Sequence, residues 1–230
     1  MTAPKRHAAT RDSGLRVLYE DNHCLAVYKP AGLLTVGDRT GDVSLVDLAR
    51  EDLRKRYNKP GNVFVGVVHR LDRPVAGVVL LARTSKAASR LAEQFRGGRV
   101  EKVYEALVEG RVAARVGTLF DRLVKDRQKN VVRSVAPSTP QARESLLTFR
   151  RLKALRDTTL LEVRPQTGRS HQIRVQLAAA GHPIVGDRKY GAKQTFPGGI
   201  ALQAVRLTFE HPVRKVPVTI DAPAHWPTPG

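Results

Sequence analysis

Two apolar runs, separated by a short polar segment, dominate the hydrophobic pattern of the chain. The first covers residues 63–68 and the second covers residues 77–82, and both are rich in β-branched residues. Runs of this length and composition predict buried strands. The connection between them, residues 69–74, is too highly charged for an ordinary tight turn. The pattern therefore predicts a polar loop held between two core strands.

Asp72 is the residue of this loop with the most evident chemistry. It lies two residues from Arg70 and next to Arg73, and nearby cations favour the ionised form of a carboxyl group. An ionised Asp held between two core strands can serve as a nucleophile or as a base. The alternative is a surface loop with an incidental ion pair, and composition alone favours that alternative.

The remaining pattern predicts further strands, three helices and one basic region. The strands are expected at residues 15–19, 24–28, 100–110, 142–155, 158–163, 201–210 and 216–222. The helices are expected at residues 44–56, 84–96 and 170–180, with Ser44 as an N-cap and glycines after the second and third. Residues 111–140 are polar and basic, and we predict short strands joined by a basic loop there.

The charge balance of this 230-residue chain indicates a polyanionic partner. Lys and Arg total 40 against 21 Asp and Glu, which gives a net charge of +19, and nucleic acid ranks ahead of an anionic membrane for such a chain. No apolar run approaches the roughly 20 residues of a membrane-spanning helix. The single cysteine, Cys24, excludes an internal disulfide and is expected to be a core thiol. The basic N-terminus lacks the apolar segment of a secretory signal, so we expect a cytoplasmic protein.

Five segments together resemble the RluA family of pseudouridine synthases. They are KPAG (residues 29–32), HRLDRPVAGVVLLAR (69–83), KVYEALVEG (102–110), TGRSHQIR (167–174) and GHPIVGDRKYG (181–191). HRLD alone is a weak signal, but these motifs in this order are a strong one. The resemblance covers about residues 15–222, which is nearly the whole chain.

The resemblance implies both a fold and a reaction. The fold would be α+β, with a long, mixed, mostly antiparallel sheet flanked by helices. The reaction would isomerise a uridine in ribosomal or transfer RNA to pseudouridine, without a cofactor, a metal or an external energy source. By resemblance, Asp72 is the essential residue, Tyr104 stacks on the target base and Arg174 forms a salt bridge to Asp72. A guanidinium fork holds a carboxylate in a defined orientation better than an ammonium does.

The same motifs supply candidate substrate-binding residues. For Lys29, capping of a sheet edge is an equally good interpretation, and His171 is interpreted as a hydrogen-bonded residue rather than a metal ligand because no further ligand lies at suitable spacing. The candidates are Lys29, His69, Arg70, Arg73, Lys102, Arg169 and His171.

Domain organisation and alternative functions complete the predictions. We expect a basic, disordered tail at residues 1–14, one catalytic domain at residues 15–222 and a Pro-rich end at residues 223–230, without an N-terminal S4 domain. We expect a monomer with RNA as its partner, no obligate protein partner and no membrane attachment. One alternative is a catalytically silent RNA-binding or ribosome-assembly protein on the same scaffold. The other is a glycosidase, which would normally need a second carboxylate.

Overall fold

The computed structural model describes residues 9–10, 14–58, 60–224 and 226. The predicted N-terminal tail and the Pro-rich C-terminal end lie largely outside these residues. The strands are β1 (Ala9–Thr10), β2 (Arg16–Glu20), β3 (Cys24–Lys29), β4 (Gly66–Val67), β5 (Ala76–Ala82), β6 (Glu101–Glu109), β7 (Val116–Asp126), β8 (Val131–Val135), β9 (Arg143–Ala154), β10 (Thr158–Pro165), β11 (Leu202–Glu210) and β12 (Pro217–Asp221). The helices are α1 (Leu45–Arg56), α2 (Ser85–Arg96), α3 (Gln172–Ala179) and a 3₁₀ helix (Arg188–Tyr190).

The chain divides into two compact units. The first unit comprises Met1–Glu101 with Ala204–Pro223, and the second comprises Lys102–Gln203 with Ala224–Gly230. Among the described helices, none has the length and hydrophobicity that crossing a membrane requires. In both units helices accompany strands that pair antiparallel, so the predicted α+β class is confirmed.

The first unit is built around β3 and β5, which pair antiparallel. Nearly every residue of these two strands is buried, and strands buried on both faces have continuous apolar runs rather than an alternating pattern. Helix α2 contributes Ala87 and Leu91 to the same core as Val78 and Leu80. The charged segment before β5 is therefore anchored at its C-terminal end in the buried core of the unit.

The first two helices begin at the predicted residues, and each start has a side-chain cap. The Ser44 hydroxyl and the Asp47 carboxylate form a capping box at the start of α1, and the Thr84 hydroxyl accepts a hydrogen bond from the backbone N–H of Ala87 at the start of α2. These local bonds satisfy N–H groups that the helix itself leaves unpaired. Both predicted starts are confirmed.

The second unit contains the strands in the order β6, β10, β9, β7 and β8, each antiparallel to its neighbours. Strand β10 alternates buried and half-buried residues, as expected for a strand with one face covered. Helix α3 packs on this sheet through Val175, which joins a small core with Leu123 of β7 and Val132 of β8. Tyr190 of the 3₁₀ helix packs against that core.

Three predicted elements differ from the structure. In the run at residues 63–68 only Gly66–Val67 is a strand, because β4 pairs with two residues at the end of β5 and leaves Phe64 48% exposed. The region 111–140 contains the predicted strands and basic connection, but β7 is eleven residues long rather than short. Helix α3 begins at Gln172 instead of residue 170, because His171 has a left-handed backbone with φ of 53°.

The only cysteine and the only tryptophan of the chain lie in different units. Cys24 in the first unit has no exposed surface, and burial raises the pKa of its thiol to about 12, which confirms the predicted core thiol. Trp226 belongs to the second unit, where its indole N–H donates to the carboxylate of Glu105. Its ring lies 6.1 Å from that of Phe196, measured between centroids.

Gly77 marks a close approach of two backbone segments in the first unit. Its φ is +124°, and a Cβ at this position would lie 2.6 Å from the backbone nitrogen of Ala204. Both the left-handed backbone and the lack of space favour glycine. Since Gly77 lies in β5, five residues after Asp72, this contact fixes the strand from which the charged loop emerges.

We therefore expect Gly77→Ala to lower the free energy of unfolding by about 3 kcal/mol or more, because strain and a backbone clash add. Denaturant titration would measure the loss. The matched control is Gly61→Ala, where φ is +98° but no atom lies within 4 Å of the new Cβ, so about 1 kcal/mol is expected. Equal losses in the two variants would show that close packing at Gly77 is unimportant.

Candidate active site

The loop that carries Asp72 is bound to a second loop of the first unit. The Thr35 hydroxyl donates to the Leu71 carbonyl at 2.8 Å and accepts from the Leu71 N–H. The N–H of Gly32 donates to the Arg73 carbonyl at 2.8 Å, and the Arg73 Nε donates back to the Gly32 carbonyl at 2.9 Å. These bonds lie on both sides of Asp72, so the backbone that presents its carboxylate is fixed.

Lys29 supports the same two loops from the interior. Its side chain has no exposed surface, and its ammonium donates to the carbonyls of Pro30, Leu33 and Arg73 at 3.1, 2.8 and 3.1 Å. Burial lowers the pKa of Lys29 to about 8, although the negative charge of Asp72 acts in the opposite direction. The structure thus places this predicted binding residue beneath the Asp72 loop.

The other candidates of the first unit surround the loop. His69 accepts a hydrogen bond from the Leu80 N–H through Nε2 at 2.8 Å, and its ring stacks on Phe95 at 4.5 Å. Arg73 forms an ion pair with Asp42 at 2.8 Å, while Arg70 is exposed. The imidazole therefore fixes the start of the loop, and the two arginines place positive charge at the surface around it.

In the second unit, Tyr104 lies on β6 directly opposite Val163 of β10. Val163 is also directly opposite Phe149 of β9, and opposed residues of antiparallel strands share a face. Phe149 therefore lies on the same face as Tyr104, which sequence reasoning missed because pairing partners are not visible in a single sequence. Lys102 donates to the Thr167 carbonyl at 3.3 Å, and burial lowers the pKa of its ammonium.

Arg174 forms a buried bidentate pair with Asp187. Its Nε lies 2.6 Å from Oδ2 and its Nη2 lies 2.8 Å from Oδ1, and the two side chains are 5% and 2% exposed. The guanidinium also lies over the ring of Tyr190, 5.0 Å from its centroid. Sequence reasoning missed Asp187, and the only available signal was its place in GHPIVGDRKYG. The proposed bond from Arg174 to Asp72 stays a prediction.

His171 and Arg169 lie at the start of α3. The His171 Nδ1 is 2.7 Å from the Tyr190 hydroxyl, in agreement with its interpretation as a hydrogen-bonded residue. Arg169 is exposed, and its Nε donates to the Glu144 carbonyl at 3.2 Å. The basic β7–β8 hairpin also reaches this point, because Lys125 contacts the Ser170 hydroxyl at 3.4 Å. Cationic side chains therefore gather around the N-terminus of α3.

One cluster has ligand atoms at a spacing suited to a metal. Single atoms of Asp21, Cys24 and His211 lie within 4.8 Å of one another in the first unit. These atoms already have other roles, because His211 Nε2 donates to Asp21 at 2.7 Å and its Nδ1 accepts from the Arg214 N–H. Burial acts to raise the pKa of the Asp21 carboxyl. Hydrogen bonds, the largest of them from Tyr19, outweigh burial and hold this pKa below its usual range. These three side chains therefore fit a hydrogen-bonded link between two turns better than a metal site.

Similarity to known sequences agrees with the motifs. A family model described as RNA pseudouridylate synthase matches residues 23–179. Ribosomal large subunit pseudouridine synthase D of Xanthomonas campestris is 38% identical over 235 residues, covering 94% of this chain and 68% of the relative. Dual-specificity RNA pseudouridine synthase RluA of Vibrio parahaemolyticus is 34% identical over 201 residues, covering 85% and 78%.

Similarity to solved structures supports the fold. Human RNA Pseudouridylate Synthase Domain Containing 4 superposes with a TM-score of 0.75 at 22% identity, covering 90% of this chain and 87% of that one. Human RNA Pseudouridylate Synthase Domain Containing 1 gives a TM-score of 0.74 at 24% identity, with coverage of 91% and 83%. The predicted pseudouridine synthase fold is thereby confirmed. With a family match over most of its length and curated relatives 34–38% identical, the chain belongs to the RNA pseudouridylate synthase family and is an RNA uridine isomerase.

Proposed function

We propose that this RNA pseudouridine synthase modifies a uridine of large-subunit ribosomal RNA, with Asp72 as the catalytic carboxylate. The substrate assignment draws on the printed names of relatives such as the Xanthomonas campestris enzyme. The observation that carries the assignment of Asp72 is the fixed loop that holds it, bonded to Thr35 and Lys29 on either side. A carboxylate that must attack or take a proton in one geometry gains from such a fixed backbone.

The reaction needs no net change in composition. The N1–C1′ bond breaks, the uracil turns, C5 bonds to C1′, and the proton released from C5 is matched by one gained at N1. Asp72 acts as the nucleophile or base that starts this sequence. Tyr104 supplies an aromatic face for the extruded uracil and a hydroxyl for removal of the C5 proton. A paired target base must leave its stack, at a cost of roughly a few kcal/mol.

Arg174 is proposed to position Asp72. Asp187 binds Nε and Nη2 of the Arg174 guanidinium. Because a guanidinium donates five hydrogen bonds in a fixed plane, one arginine can serve two carboxylates. Because the Arg174–Asp187 ion pair has little net charge, we propose that Arg174 acts mainly by orienting the Asp72 carboxylate.

RNA binding is proposed to depend on the basic surfaces of this domain. A net charge of +19 favours phosphate contacts whose strength falls with salt. The basic residues of the β7–β8 hairpin are the principal candidates on the second unit, and they are Lys125, Arg127 and Lys129. The exposed residues Arg70 and Arg169 are further candidates. We propose that the protein acts as a monomer in the cytoplasm.

Deleting the gene should abolish pseudouridine at one or a few positions of large-subunit ribosomal RNA. Wild-type protein should restore those positions and Asp72→Asn should not, because the amide can neither attack nor accept the proton. Sequencing that maps pseudouridine would measure both the loss on deletion and its restoration by each protein. If no ribosomal position changes on deletion, the substrate proposal is wrong; if Asp72→Asn restores modification, the assignment of Asp72 as the catalytic carboxylate is wrong.

Tyr104→Phe should impair only the reaction rate, whereas Tyr104→Ala should impair both the rate and RNA affinity. The Phe variant keeps the ring, so RNA affinity stays near wild type while product formation slows. The Ala variant also loses stacking worth about 1–3 kcal/mol. Single-turnover rates, RNA affinity and melting temperature distinguish these effects. A fully active Phe variant with an Ala variant impaired only in melting temperature would make Tyr104 a core strand residue.

Lys29→Met should change how stability depends on pH. The pKa of Lys29 is about 8 in the folded protein and about 10.4 in an unfolded chain. The unfolded state therefore holds the proton more tightly. The loss of folding stability caused by burying the ammonium is complete well below pH 8 and decreases as the pH rises toward 10. Wild type should gain about 2 kcal/mol relative to Lys29→Met between pH 8 and 10. Denaturant titrations of both proteins at each pH would show it; parallel curves would mean that Lys29 titrates as an exposed lysine does.

A further inference from the structure

Tyr190 contacts the Arg174 guanidinium, its partner Asp187 and His171, which precedes α3. No step of the proposed reaction uses Tyr190. We propose that Tyr190 is a positioning residue, which orients Arg174 through its ring and fixes the start of α3 through its hydroxyl. This inference rests on the proposed function, because it gives Arg174 the task of orienting Asp72. All the contacts that carry it lie within the second unit.

The ring of Tyr190 and the carboxylate of Asp187 form a socket for the guanidinium. Asp187 binds Nε and Nη2 in the plane of the group, and the ring lies over its central carbon at 5.0 Å. One contact restrains the guanidinium in its plane and the other restrains it from above. The Tyr190 N–H donates to the Asp187 carbonyl at 2.9 Å, so a single short turn supplies both restraints.

The hydroxyl of Tyr190 holds the residue before α3. It accepts from the N–H of Val132 at 3.0 Å and lies 2.7 Å from Nδ1 of His171, and we assign its hydrogen to that nitrogen. His171 has φ of 53°, a conformation that costs a side-chain-bearing residue free energy and persists only where its surroundings enforce it. The bond to Tyr190 is such a restraint.

The direction in which α3 starts follows from that conformation. Arg174 is the third residue of α3, one turn from His171, so a relaxed His171 backbone would move its side chain. Val132 belongs to β8 of the basic hairpin, and the same hydroxyl therefore links a proposed RNA-binding element to the residue that precedes α3. Displacing a reacting group by about 1 Å can cost roughly a hundredfold in rate.

The test compares Tyr190→Phe, Tyr190→Leu and Arg174→Lys in single-turnover assays with enzyme in excess and RNA saturated. The rate constant then reports the folded enzyme alone and does not change with the fraction that is folded. Tyr190→Phe should slow product formation by about threefold to tenfold, the worth of one hydrogen bond. Tyr190→Leu, which also loses the ring, should slow it by roughly a hundredfold.

A matched control removes a similar contact elsewhere. Tyr57 lies under Arg83 at 4.7 Å on the first unit, so Tyr57→Leu loses an arginine–tyrosine contact outside the proposed site. It should keep the wild-type rate constant, and melting temperatures of all variants would record any loss of stability. A further variant is His171→Gly, since glycine takes positive φ without strain; in that background Tyr190→Phe should have little further effect.

The outcomes separate this inference from the proposed function. If Arg174→Lys is slow and Tyr190→Leu reacts at the wild-type rate, the inference about Tyr190 is wrong and the role of Arg174 stands. If Arg174→Lys reacts at the wild-type rate, the proposed role of Arg174 fails. The hydroxyl contact is also tested without turnover, by ¹⁵N NMR of the imidazole. Wild type should show His171 protonated at Nε2, and Tyr190→Phe should shift the Nδ1 resonance; an unchanged resonance would overturn the contact.

Discussion

The buried ammonium of Lys29 is the constraint on which the Asp72 loop depends. A charge without exposed surface is tolerated only when hydrogen bonds replace its lost water, and here three backbone carbonyls do so. Two of these carbonyls follow Lys29 closely in the chain and the third belongs to Arg73, so satisfying the charge brings the two loops together. Burial lowers the pKa of the Lys29 ammonium, and the negative charge of Asp72 opposes that effect.

Arg174 is a second buried charge whose lost water is replaced by hydrogen bonds, but its partner is a carboxylate rather than a set of carbonyls. Arg174 is balanced by Asp187 with two short bonds, and removing one member of such a pair leaves the other charged and unpaired. The ammonium of Lys29 is bound by neutral carbonyls, whereas the guanidinium of Arg174 is bound by a carboxylate of opposite charge. In the proposed mechanism the first residue therefore fixes the loop that carries Asp72, and the second orients the carboxylate itself.

The parts of the fold that were predicted from the sequence are those with local signals. Ser44 was identifiable as a cap because a hydroxyl before a helix bonds to an N–H within three residues. The left-handed backbone of His171 was not, because the partner of its imidazole, Tyr190, lies nineteen residues away. Asp187 was missed for the same reason, since its partner lies thirteen residues earlier. The motifs singled out Asp72, Tyr104 and Arg174 as candidates, but the groups that hold Arg174 became visible only through tertiary contacts.

The distribution of two rare residues gives each unit its own built-in reporter. Cys24, the only thiol, is sealed in the first unit, so its modification by an aqueous reagent requires that unit to open. Trp226, the only indole, rests against Glu105 and Phe196 of the second unit, so the emission of the native protein excited at the red edge comes from that unit alone. Thiol labelling and fluorescence can thus follow the opening of the two units separately, without any introduced probe.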